Sequence, residues 1–211
     1  MNHRMDGRQA HPFHLRYNSF MISSETLNPL INSAFIRKIT WYEASNEYSL
    51  DEFIDTFYNT RKRIQELLDD MTDDQVAFAS PVHSIWSVSE SITHLIYSQG
   101  YYINKLLAIT TSSMPHIIEA ARGFGEGAKT GVPADELRSR MSFATVQVTA
   151  AIENTRNQHD FEKTEANEVF GLCNYQTWML LLLAHEVDHL KQIVAMRRLA
   201  RTEGGHKAGV S

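Results

Sequence analysis

Apolar residues recur at steps of three and four in four separate stretches of this 211-residue chain, and no stretch shows a convincing strand alternation. A step of three or four returns a side chain to the same face of an α-helix, so each stretch predicts one amphipathic helix. The first follows Ser49-Leu50-Asp51-Glu52, a capping box, and carries Phe53, Phe57, Ile64, Leu67, Leu68 and Met71. The second follows Ser87-Val88-Ser89-Glu90, another capping box, and runs to about Leu107 with Val88, Ile92, Leu95, Ile96, Ile103 and Leu106. The third opens at Pro133, whose fixed φ suits a first helical turn, and carries Leu137, Met141, Ala144, Val148 and Ile152 to an end near Asn157. The fourth runs from about Tyr175 to Arg201.

Four such helices predict an all-α fold, a four-helix bundle. The expected organisation is an N-terminal extension over 1–45, the bundle over 46–203 and a flexible tail over 204–211. The extension is read as partly irregular, with a short helix around Leu30 to Ile39, and its Phe35, Ile36, Trp41 and Tyr42 are suited to cover either the bundle or a second subunit. The stretch 108–132, rich in Thr, Ser and Gly, reads as a long loop with a short helix near His116 to Arg122.

Composition narrows the function classes. Hydrophobic residues make up 43% and charged residues 21%, which suits a globular core. The formal net charge is −5 and no Lys/Arg stripe is present, so neither nucleic acid nor a membrane surface is an expected partner. The longest wholly apolar run, Met179 to Ala184, is too short to span a bilayer. The N-terminal residues lack the apolar segment of a secretory leader, and Cys173 stands alone, so a cytoplasmic protein is expected.

The chemistry concentrates in the fourth stretch. Its seam is Trp178, Leu182, His185, His189, Ile193 and Met196. Two imidazoles one turn apart on a core-facing seam can address one point, and buried imidazoles need partners. A divalent metal is one such partner. His94, beside the apolar stripe of the second stretch, is placed to complete a three-histidine site with an open coordination position. The run His185-Glu186-Val187-Asp188-His189 also spells the H-E-x-x-H of zinc peptidases, with Glu186 as the general base. Glu186 lies about 100° round the helix from His185, so it and Asp188 are expected on a solvated side. Tyr97, Ser98 and Tyr101 follow His94 as pocket candidates, and Gln192 is one turn from His189. His3, His11, His14, His83, His159 and His206 are expected outside the site, and His116 in the long loop. Cys173 precedes His185 by more than three turns and is not expected to be a ligand.

Trp86-Ser87-Val88-Ser89-Glu90, then His94-Leu95, then His185-x-x-x-His189 ending Gln192-Ile193, resembles the DinB superfamily over about residues 48–200. Leu190-Lys191 stand where many relatives carry Arg-Gly. The resemblance implies a four-helix bundle, often a homodimer, with a divalent ion such as nickel, zinc, manganese or iron held by His94, His185 and His189. It also implies a small-molecule substrate and a low-molecular-weight thiol cofactor, since some members are thiol S-transferases or isomerases. Three readings follow: a metal-dependent, thiol-linked enzyme; a stress-related bundle that binds a metal or small ligand without turnover; and an H-E-x-x-H peptidase. No residue is assigned a catalytic role.

Overall fold

A computed structural model of the chain describes residues 21–80, 85–110, 124–125 and 127–203. The expected helix near His116, the tail 204–211 and His3, His11, His14, His83, His116 and His206 lie outside these residues.

Four long helices build the bundle: α3 (Leu50–Asp69), α5 (Val88–Ala108), α6 (Ala134–Thr155) and α7 (Tyr175–Glu203). Their starts lie where the sequence signals place them. Ser49 accepts from the Glu52 N–H while Glu52 reaches back to Ser49, and Ser87 and Glu90 repeat the exchange. Each box satisfies backbone donors that a helix start leaves free. At the start of α7 the Asn174 side chain accepts from the Thr177 N–H at 2.9 Å.

The helices form a closed ring in which α7 packs on α3 and α5, and α6 packs on the other sides of the same two. This sequence of neighbours brings α5 and α7, which carry the candidate histidines, face to face.

Shorter elements complete the described chain. α1 (Ser24–Phe35) begins earlier than the helix expected at Leu30–Ile39 and runs through Pro29. α2 (Trp41–Ser45) is started by a Thr40–Glu43 box and α4 (Asp73–Ala77) by a Thr72–Gln75 box. Trp41 is buried, with its ring edge-on to Phe170, so this part of the extension covers the bundle; Phe35 and Ile36 are exposed. Between α6 and α7 lies an antiparallel hairpin, β1 (Glu165–Asn167) and β2 (Gly171–Cys173). Strands of three residues are too short to show alternation, which is why the sequence did not reveal them.

α1 ends in a Schellman motif. The Lys38 N–H donates to the Ser33 carbonyl at 2.9 Å, and the Arg37 N–H to that of Ala34 at 3.1 Å. The motif places Arg37 at φ 57°, a left-handed conformation that glycine adopts without a Cβ clash. Arg37→Gly is therefore expected to raise stability by about 1 kcal/mol, a thermal shift of roughly 2–4 °C in a chain of this size. Thermal unfolding checks this; an unchanged or lowered midpoint contradicts it.

The apolar interior falls into two clusters. One gathers Phe53, Phe57, Tyr102, Leu106, Val148 and the α7 residues up to Ala184; the other gathers Ile64, Leu68, Val88, Ile92, Leu95, Met141, Ala144 and the α7 residues Leu190, Ile193 and Met196. The gap on α7 holds His185, Glu186 and His189, and that on α3 holds Arg61; Gln99 of α5 and Gln147 of α6 are buried between cluster members of their own helices. A polar layer thus crosses the bundle at the level of the histidines.

Candidate functional site

His94 sits two turns into α5, and His185 and His189 lie one turn apart on the facing side of α7. Their nearest ring nitrogens all fall within 4.8 Å of one another. The Nε2 atoms of His94 and His185 are 3.2 Å apart, and the Ser98 hydroxyl lies 3.5 Å from His185 Nε2. Two nitrogens each about 2.0–2.1 Å from one tetrahedral ion stand about 3.3 Å apart, so this separation suits a shared metal. A hydrogen bond between two rings gives a similar distance. It does not account for a third ring converging on the same point.

Electrostatics keep the rings neutral. Burial pushes the His185 imidazole down to about 3, helped by its two histidine neighbours and the Arg61 cation. Burial and His94 push His189 down to about 4, against the opposing pull of Asp188 and Gln192. Burial also lowers His94. A neutral imidazole offers a lone pair, the form a metal requires. The Nδ1 atoms of His185 and His189 are buried without a hydrogen-bond partner among the described residues, and Nε2 is the atom that His94 and His185 turn toward each other.

The site opens into a cleft of about 590 Å³ lined by Ile85, Trp86, the three histidines, Lys191, Gln192 and Ala195. The Trp86 ring stacks on His189 at 6.0 Å and meets His94 edge-on at 4.9 Å, forming one wall. Beneath, the Tyr102 ring lies 5.4 Å from His185. Lys191 carries the only formal charge among the described lining residues, and Gln192 donates to Asp188 at 2.9 Å.

Of the pocket candidates, only Ser98 reaches a histidine; its hydroxyl also donates to the His94 carbonyl at 2.8 Å. Tyr97 and Tyr101 are exposed and do not line the cleft, and Tyr101 accepts from Asn167 instead. Cys173 is buried away from the histidines, its thiol pushed up to about 11 by burial. His159 stacks on Tyr175 at 5.1 Å.

Glu186 corrects the sequence reading. It is fully buried, not solvated, and pairs with the equally buried Arg61. Asp188 is exposed as expected. Arg61 occupies a seam position of α3, at the step Phe57, Arg61, Ile64, Leu68, and a charged residue on such a seam was the available signal for a buried partner.

A family model of the DinB superfamily matches residues 56–193, from α3 into α7. The chain belongs to the DinB superfamily. The match takes in all or part of each of the four bundle helices and all three histidines. No curated protein matches this chain. Among the described residues no helix is long and apolar enough to cross a membrane.

Proposed function

We propose that this DinB-superfamily chain holds one divalent metal ion on His94, His185 and His189 and presents an open coordination position to a small molecule in the adjoining cleft. The observation that carries this reading is the convergence of three neutral ring nitrogens within 4.8 Å at the base of that cleft. Three imidazoles suit zinc, nickel or iron, with manganese the harder fit. Such an ion supplies Lewis acidity, lowering the pKa of a bound thiol or water. The chain's own groups position what enters. Trp86 offers an aromatic face, and Lys191 a cation to an anionic group. Thiol-dependent transfer is the activity that this arrangement and the family resemblance favour.

Peptidase chemistry is not supported by the geometry. The H-E-x-x-H mechanism needs Glu186 beside the metal-bound water. Glu186 is instead buried against Arg61 and does not line the cleft.

Metal analysis of the purified full chain tests the proposal. We expect about one ion per chain, falling by at least tenfold in His185→Ala and His189→Ala. Equal metal content in wild type and both variants overturns it. Turnover is then read by supplying a low-molecular-weight thiol with a panel of electrophiles. Metal-dependent loss of free thiol marks an enzyme; its absence across the panel marks a binding protein.

A further inference from the structure

The six residues Met179 to Ala184 of α7 are all 0–2% exposed. A helix segment buried on every side has no polar face to set its rotation, and apolar cores lose uniqueness of packing before they lose stability. One residue of slip turns a helix by about 100° and carries a side chain to a different neighbour. Yet His185 and His189, which directly follow this segment, must both face His94.

The polar contacts of α7 show what fixes its rotation. At its start, Gln176 donates to the carbonyls of Ser45 and Tyr48, and Thr177 meets the Ser45 hydroxyl at 3.1 Å. At the level of the histidines, Glu186 bonds to Arg61 of α3, and two turns and more further on the partly exposed Arg197 and Arg201 pair with Asp70 at the end of α3, outside the buried core. Arg61 also reaches the sulfur of Met141 on α6, at 3.4 Å, and its guanidinium lies 5.4 Å from the centre of the Phe57 ring. Glu186 is therefore held from α3, through an arginine that α6 also touches, while its neighbour in sequence, His185, faces α5.

This pair is a poor device for stability alone. Glu186 Oε2 and Arg61 Nε are buried without partners among the described residues, and an incompletely satisfied buried ion pair is commonly replaceable by apolar side chains without loss. We infer that Arg61 and Glu186 are positioning residues for the histidine site: they pin the rotation of α7 so that His185 and His189 meet His94. This rests on the metal-site reading above.

The test compares the wild-type chain with the double variant Arg61→Met/Glu186→Leu, which replaces both charges by apolar groups of similar length. Each is titrated with Co²⁺ in competition with a chelator, while the visible Co²⁺ spectrum reports ligand geometry and thermal unfolding reports stability. The expected result is a thermal midpoint equal to or above that of wild type, Co²⁺ affinity weakened by about tenfold or more, and an altered spectrum. Wild-type affinity and spectrum in a folded double variant overturn the inference. Should the double variant fail to fold, Arg61→Lys decides. It keeps the cation but not the planar fork, so weakened Co²⁺ binding supports the inference and unchanged binding overturns it. If the wild-type chain binds no Co²⁺, the metal-site reading itself has failed, an outcome distinct from these.

Discussion

Glu186→Leu alone is expected to lower the unfolding free energy by about 3–5 kcal/mol. The substitution removes the carboxylate and leaves the Arg61 guanidinium, 1% exposed, without its counter-charge. The Met141 sulfur is a weak acceptor and cannot replace it. For a chain of this size the loss corresponds to a fall in thermal midpoint of roughly 6–20 °C. The exposed pair Lys62–Glu66 on the same helix α3 is the internal control: Glu66→Gln is expected to cost less than about 0.5 kcal/mol. Urea unfolding of the two variants measures the contrast. A Glu186→Leu cost as small as that of Glu66→Gln contradicts a buried, mutually dependent pair. The same substitution combined with Arg61→Met removes both charges together, so its cost is expected to be fully recovered.

Acidification is expected to destabilise the metal-free chain between pH 6.5 and about 4.5. The sign follows from which state takes up protons. In the unfolded chain a histidine protonates near pH 6.5. In the folded chain burial holds His185 near 3 and His189 near 4, so both rings stay neutral through this window. The unfolded state therefore gains protons first, and stability falls as pH falls, by about 1.4 kcal/mol per pH unit for each ring. Glu186 acts in the opposite sense. Burial raises its carboxyl against the pull of Arg61, so the folded state accepts that proton above the unfolded carboxylate range near 4.5. Two rings outweigh one carboxyl, and the net expected loss is about 2–3 kcal/mol. Thermal midpoints measured at pH 6.5, 5.5 and 4.5 check this. A midpoint that stays level or rises across the series contradicts rings held neutral by burial. Replacing both His185 and His189 with Gln is expected to flatten the slope, since Glu186 then opposes His94 alone.

The long helices were legible because their signals are local. The boxes at Ser49 and Ser87 mark where backbone donors need satisfying, and the three-and-four spacing marks the face each helix buries. His185 and His189 stood out for the same reason: polar rings on an otherwise apolar seam require a partner. His94 was harder to place, lying beside its stripe and not at its centre; the need for a third ligand from another helix pointed to it, and the order of the motifs then agreed. What stayed hidden depends on contacts distant in sequence. Glu186 read as solvated because a lone carboxylate usually is, and its partner Arg61 lies 125 residues away. Trp86 was visible as a motif residue, but its stacking on His189 depends on how α5 and α7 cross.

The polar layer between the two apolar clusters carries a consequence for how the molecule opens. Each cluster can exclude water by its own contacts, so the seam between them is where cooperative unfolding is weakest. His94, His185 and His189 lie at that seam, on two of the four helices, all of which pass through both halves. An ion clasped there would tie the halves into one melting unit, and slow amide exchange would then spread from two separate islands across the whole bundle.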